Sequence, residues 1–357
     1  MNYLIYGAYG YTGTLIAEEA VRQGHEPILA GRNREKLDAL GTRLERETQI
    51  VSLDDDRRLR AVLDEVPAVL HCAGPFARTA PPMVQACLET GTHYLDITGE
   101  IPVLQALEAR DEEAEARDVC LLPGAGFDVV PTDCLARGLS EQCPDANTLE
   151  IALHSVGGVS TGTLKTIIEQ IGLGGQVRRD GQVVDVPPGW TSRTVDFAGH
   201  PRRVISIPTA DVVTAGTSTG IPNVTAYLYL PSFLRKALRF SRFASGLFNW
   251  SFLQRLLKRA VDRWVENPSA AAREAGSTHV WASVRTAAGE RRTARLQGPH
   301  AYTLTARAAV RATAQVVDAD GPVGFQTPGT ALGADFIDEI EGVETQVDSD
   351  ADETPSA

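Results

Sequence analysis

Two rhythms of apolar and polar positions alternate through the first 130 residues. Short apolar runs at Asn2–Tyr6, Pro27–Ala30, Ile50–Leu53, Ala68–Cys72, His93–Ile97 and Val119–Leu122 read as strands. Between them, Tyr11–Gln23, Arg34–Glu47, Asp55–Glu65, Pro82–Thr90 and Val103–Arg117 read as helices, the first through the helical spacing of Leu15, Ile16 and Ala20. Strands separated by helices predict βαβ units and a doubly wound parallel sheet of the Rossmann type. The acids at Asp55 and Asp56 open their helix as its dipole favours.

Near Phe127–Asp133 the pattern changes, and strands dominate. Leu149–Val156, Val177–Val184, Arg202–Ile207, Val212–Thr217, Val224–Leu230, His279–Thr286 and Arg292–Leu296 are the predicted strands. Asp180–Gly181 reads as a tight hairpin turn. Gly162–Ile171, Tyr302–Val317 and Pro328–Ile340 read as helices. The expectation is an α/β first domain over 1–130, followed by a second α+β domain with a mainly antiparallel sheet over 131–321.

Composition narrows the class. The chain has 357 residues, 43% hydrophobic and 22% charged, which excludes a disordered, collagenous or disulfide-stapled protein. The uncharged run at Phe243–Gln254 is too short to span a bilayer, which takes roughly 18 apolar residues. The net charge is −12, but nine acids and no base fall in 335–357. The body is therefore nearly balanced, and 346–357 reads as an acidic disordered tail. No basic domain points to nucleic acid. The five cysteines lack CxxC spacing and read as buried thiols of a cytoplasmic protein. The histidines form no ligand motif, so no metal is expected.

The sharpest local signal is Gly7-Ala8-Tyr9-Gly10-Tyr11-Thr12-Gly13, between the first predicted strand and the first helix. One glycine turns the chain tightly, a second lets backbone approach a pyrophosphate, and a third allows close helix–sheet packing. The helix start then faces the anion. Gly7, Tyr9, Gly10, Tyr11, Thr12 and Gly13 are the cofactor-contact candidates. After the second strand the chain reads Ala30-Gly31-Arg32-Asn33-Arg34. An NAD site places an acid there, whereas Arg32 suits a 2′-phosphate, with Asn33 beside it; this favours NADP(H). Asp54, after the third strand, fits an adenine contact or a helix cap. Ala73, Gly74 and Pro75 follow the fourth strand, where a doubly wound sheet binds its ligand, and would wall the nicotinamide ribose.

GAYGYTG, GRNREKL, the CAGPF turn, HYLDITGE, GAGFDVVPTD, STGIPN and TPGTALG together resemble the saccharopine dehydrogenase-like oxidoreductases, in particular their trans-acting enoyl reductase branch. The resemblance covers about 1–340. It implies an NADP-binding Rossmann domain, a strand-rich second domain, and a C-terminal segment, here about 322–345, that returns to the first. It also implies NADP(H) use. The enoyl reductase branch implies reduction of a carbon–carbon double bond in a polyketide or lipid chain. The saccharopine branch implies reduction of an amino-acid-derived imine. An NADP-binding regulatory or scaffold protein without turnover stays open as a third reading.

Hydride transfer also needs a group that protonates or polarises the far atom of the substrate. No tyrosine is followed by lysine four residues on, so the Tyr-x-x-x-Lys solution is absent. The candidates are Tyr94, Asp96, Asp128 and His154, each with a structural alternative as core residue or cap. Asp133, Gly99 and Glu100 lie close by in sequence, and the resemblance adds Ser218 and Thr219 as substrate contacts. Residues 231–263 hold eight bases against one acid and six of the 22 aromatics. Such a basic amphipathic stretch fits a membrane surface or the gate to a lipid-like substrate, a homodimer contact, or a core helix with a solvated face.

Overall fold

The computed structural model describes residues 1–158, 160–161, 174–232, 234–236, 238, 259, 263, 267–318 and 321–348. The helix expected at 162–171, most of the basic aromatic stretch 231–263, and the acidic stretch beyond 348 lie outside them.

In chain order the described elements begin with β1 (Leu4–Tyr6), α1 (Tyr11–Arg22), β2 (Ile28–Gly31), α2 (Arg34–Leu44), β3 (Thr48–Ile50) and α3 (Asp56–Leu63). They continue through β4 (Ala68–His71), α4 (Phe76–Thr90), β5 (His93–Asp96), α5 (Ile101–Glu108), α6 (Asp111–Glu115), β6 (Cys120–Leu122) and α7 (Val130–Gln142). Next come β7 (Ala146–Val156), β8 (Gly175–Arg179), β9 (Gln182–Val186), β10 (Ser192–Asp196), β11 (Pro201–Ser206), α8 (Asp211–Thr219), β12 (Asn223–Tyr229), α9 (Ala270–Glu274), β13 (Ser277–Thr286) and β14 (Arg291–Pro299). The last are α10 (Ala301–Val316), β15 (Gly324–Phe325), α11 (Pro328–Ala331), a 3-10 turn (Ala334–Glu339) and β16 (Glu344–Asp348).

The chain forms two compact units, Met1–Val130 with Tyr302–Glu341, and Pro131–Ala301 with Gly342–Ala357. The first unit holds a seven-stranded parallel sheet in the order β15-β6-β5-β4-β1-β2-β3. The order steps outward from β1 in both directions, so its carboxyl edge opens at β1 and β4, where doubly wound sheets bind ligands. Its core is built from apolar residues of both sheet and helices, among them Leu4, Val69, Met83, Tyr94 and Leu121. The seventh strand, β15, is two residues long and comes from the returning segment.

That return begins at Tyr302, not near residue 322. One face of α10 is buried in long helical register, including Leu304, Ala308 and Ala312, and belongs to the first unit. The expected helix over 328–340 is instead broken at Gly333, whose φ of 86° no helix accommodates. Phe336, Ile337 and Ile340 beyond the break are buried. An ionic lattice of Glu19, Arg22, Arg307, Arg311, Glu339 and Glu341 ties the segment to α1 and α10. Residues 346–348, expected as tail, and 344–345, expected in the returning segment, instead form edge strand β16 (Glu344–Asp348), paired antiparallel with β14.

The second unit contains a nine-stranded mixed sheet whose main path is β10-β11-β12-β7-β13-β14-β16. All its pairings are antiparallel except β12 with β7. The Asp180–Gly181 hairpin turn is present, with φ of 47° and 78° at its centre. One predicted strand, Val212–Thr217, is the helix α8. Its Val-Val-Thr run favours a strand, but Val212, Val213 and Ala215 bury one helical face and left-handed Gly220 stops the chain. Among the described residues no helix is long and apolar enough to cross a membrane.

Candidate active site at the carboxyl edge of the parallel sheet

The glycine loop joins β1 to α1 as the sequence predicts. The amides of Gly7 and Ala8 donate to the Ala30 carbonyl at 2.8 and 3.3 Å, binding the loop to the end of β2. Gly7 has φ of 82°, and a Cβ there would meet Ala73 at 2.8 Å. A Cβ on Gly13 would sit 2.3 Å from the Gly7 carbonyl oxygen. Both positions demand glycine, one for conformation and contact, the other for contact alone. Gly10 starts α1 with no side-chain cap, and the first turn holds no acid. Thr14 is drawn back, its hydroxyl donating to the Ala8 carbonyl at 3.1 Å. A turn held open by glycines before an uncapped helix start, with Tyr11, Thr12 and Gly13 in its first turn, fits a dinucleotide diphosphate.

At the end of β2, Tyr9 lies over Gly31, whose missing Cβ leaves room for the ring; a Cβ would be 2.5 Å from Cε1. Arg32 follows, exposed. Asn33 is committed to α2, its side-chain oxygen accepting from the Lys36 amide at 3.0 Å. Asp54 does not cap α3; Asp55 does, accepting from the Arg58 amide at 3.1 Å. Asp54 is exposed and accepts from the Ser52 hydroxyl at 3.3 Å. Buried Tyr6 donates to the Val51 carbonyl beneath this corner. Burial and neighbouring Tyr9 push its hydroxyl up to about 12, although Arg32 works against the rise.

Ala73 backs the glycine loop, and the Gly74–Pro75 peptide is cis. Pro75 then precedes α4, whose first amides are held by a residue from elsewhere. Glu100 accepts from Phe76 and Ala77 amides at 3.0 and 2.9 Å. A carboxylate at a helix start is favourable on both hydrogen-bond and dipole grounds. The Thr79 hydroxyl donates to the Ala73 carbonyl at 2.6 Å, fixing the turn from the other side.

Tyr94 and Asp96 share one face of β5, as their spacing of two predicts, and both are completely buried. The Tyr94 hydroxyl donates to Asp96 Oδ2 at 2.6 Å, while Thr98 and Gly124 amides donate to Oδ1 at 2.9 and 3.0 Å. Burial raises the Asp96 carboxyl to about 6 against these three donors. Burial first, then Asp96, push the Tyr94 hydroxyl well above its usual range. Together Tyr94 and Asp96 pin the loops after β5 and β6. Thr98 extends the chain of contacts, its hydroxyl accepting from the Glu100 amide at 3.1 Å.

Asp128, on the loop after β6, is the exposed member of the four acid–base candidates. It lies against Gly99, where a Cβ would come within 3.1 Å of the Asp128 Cβ. Thr305 of α10 holds this loop by accepting from the Phe127 amide at 3.0 Å, and Tyr302 packs edge-on against Tyr11 at 5.0 Å. His154 belongs to β7 of the second unit, as do Asp133 and Ser218 to that unit's interior. The Ser218 hydroxyl donates to Asp133 at 2.6 Å, a buried structural pair. Among the described residues no three His, Cys, Asp or Glu side chains converge as a metal site. Glu100 was singled out by its place in the sequence, but its contact with the α4 amides, like the parts played by Thr305 and Tyr302, spans a long sequence gap that motif reading does not bridge.

Residues 3–120 match the family model described as saccharopine dehydrogenase NADP binding domain. A human protein named saccharopine dehydrogenase-like oxidoreductase is 29% identical over 150 residues, covering 36% of this chain and 35% of that protein. A Mycobacterium leprae protein named trans-acting enoyl reductase is 33% identical over 138 residues, covering 36% and 33%. The matched stretch thus spans about a third of the length of these relatives. A solved structure of saccharopine dehydrogenase (L-Glu forming) from Saccharomyces cerevisiae superposes with a TM-score of 0.63 at 13% identity, covering 98% of this chain and all of that one. Residues 3–120 are therefore similar to a saccharopine dehydrogenase NADP-binding domain, and the fold of the chain is similar to that of saccharopine dehydrogenase.

Proposed function

We propose that this protein is an NADP(H)-dependent oxidoreductase that reduces a carbon–carbon double bond in a lipid-like or polyketide substrate. The observation that carries the cofactor half is the glycine turn with its uncapped helix, with Arg32 where an NAD site has an acid. When bound, NADPH supplies a hydride. The chain's own residues do the rest. The 7–13 loop grips the diphosphate, Arg32 pairs with the 2′-phosphate, and Ala73, Gly74 and Pro75 wall the nicotinamide side. Asp128, exposed at the same edge, is the group that holds a proton for the far atom of the substrate. The double-bond half leans on the trans-acting enoyl reductase name of the Mycobacterium leprae relative. It also leans on the basic, aromatic composition of 231–263, which suits an apolar substrate or lipid surface.

Arg32→Ala should weaken NADPH binding at least about tenfold and leave NADH within about twofold. Equal losses for the two would remove the 2′-phosphate role. Substrate class is tested by NADPH oxidation at 340 nm. Turnover is expected with a long-chain enoyl thioester and not with glutamate plus aminoadipate semialdehyde. The reverse preference would move the protein to imine reduction, and tight NADPH binding without turnover on either would make it a binding protein.

A further inference from the structure

His154 of β7 and His279 of β13 are direct cross-strand partners, their rings stacked with centroids 5.8 Å apart. Tyr229 of β12 meets His154 edge-on at 4.5 Å, and Phe197, just beyond β10, lies 5.7 Å from it. The β10–β11 turn adds His200, and β11 adds Arg202, whose guanidinium carbon is 5.9 Å from the Tyr229 ring. The Ser277 hydroxyl completes the patch, 3.1 Å from His279 Nε2. The histidine pair and Tyr229 are half-buried, while His200 and Arg202 are exposed. Three imidazoles, a guanidinium and a phenol therefore gather on one sheet face with an aromatic floor.

Their charges repel. His154 is held below its usual range by burial, then by His279 and Arg202; His279 is held down by burial, then by His200. Among the described residues, Asp196, Asp348 and Glu150 on the elements packed around them pair with other groups. Asp196 of β10 faces Arg295 of β14 at 3.9 Å, and Asp348 of β16 pairs with the same arginine. Glu150, further along β7, is held by Arg193 and Tyr227. Glu344 of β16 is in register with Gln297, one strand beyond His279. Imidazoles kept from protonating beside a guanidinium, with no carboxylate paired to them among the described residues, gain protons when an anion from outside supplies the counter-charge, and N–H donors of this kind suit oxyanions.

We propose that His154, His279, Arg202 and His200 form a binding site for an oxyanion, the phosphoryl or carboxylate group of a small molecule. The site is built from residues of the second unit and does not depend on the reaction proposed above. Binding takes up protons on the imidazoles, so affinity rises as pH falls.

The test is NMR of the full chain with ring-13C histidine, titrated with inorganic phosphate, acetate or chloride at matched ionic strength. His154→Gln and His279→Gln assign the two signals, and intrinsic tryptophan fluorescence confirms that each variant is folded. Both signals should shift along one saturable curve with phosphate or with acetate at pH 6, and the oxyanion that saturates identifies the source. Half-saturation should move up about tenfold in Arg202→Ala, and again at pH 8. Equal effects of chloride, shifts that never saturate, or indifference to Arg202→Ala would overturn the proposal.

Discussion

Gly13→Val should abolish measurable NADPH binding, a loss of at least about 100-fold. The new Cβ would lie 2.3 Å from the Gly7 carbonyl oxygen and 3.1 Å from Ala8 Cα, both backbone atoms that cannot rotate away. The turn must open to admit it, and an opened turn no longer presents the helix start to a diphosphate. Overpacking of this kind also costs about 1–3 kcal/mol, so binding and folding must be measured together. Gly24→Ala is the control. Gly24 has φ of 80° but nothing within 4 Å of its added Cβ, so it suffers backbone strain without touching the loop. It should bind NADPH normally. Binding by the Gly13 variant within about threefold of the parent would show that the loop does not hold the cofactor.

Asp96→Asn should stabilise the first unit at pH 8 and flatten its pH dependence. The carboxyl is raised from 3.8 to about 6 by burial. A raised acid is better tolerated protonated, so its stability contribution is complete below about pH 4 and is lost as pH rises through 6. The shift corresponds to about 3 kcal/mol at pH 8. Asparagine keeps an oxygen for the Thr98 and Gly124 amides and can donate to the Tyr94 oxygen. Urea unfolding by circular dichroism at pH 5 and 8 should show the parent losing stability and the variant losing much less. All four tryptophans, Trp190, Trp250, Trp264 and Trp281, fall in the range of the second unit, so fluorescence follows that unit separately. Its own buried carboxyl, Asp211, is also raised to about 6, so the fluorescence transition should keep its pH slope in the variant. An unchanged slope by circular dichroism, or a variant less stable at pH 8, would contradict this assignment.

The first unit was legible because local signals agreed: apolar strands, helical spacing and glycine punctuation all specified one parallel sheet. What sequence missed was contributed across long gaps. β15 is two residues long and carries no period of its own. α10 looks amphipathic wherever it packs, so its allegiance to the first unit could not be read from spacing. Val212–Thr217 has strand propensity, and tertiary burial overrode it. In the site, the glycine loop and Arg32 were readable because their chemistry lies in consecutive residues. Tyr94 and Asp96 were correctly found as neighbours on β5, but period-two spacing does not say which face is solvent. Glu100 reaches across 24 residues to the Phe76 amide, and His154 meets His279 only through strand register.

On the proposed function, the amino-terminal unit binds a phosphorylated dinucleotide at the edge framed by Gly7, Gly13 and Arg32. Titrating the full chain with NADPH and with NADH, followed by nicotinamide fluorescence, tests it most directly. NADPH should bind saturably, and more tightly than NADH by at least about tenfold. An absence of saturable NADPH binding, or equal affinities for the two, would contradict it.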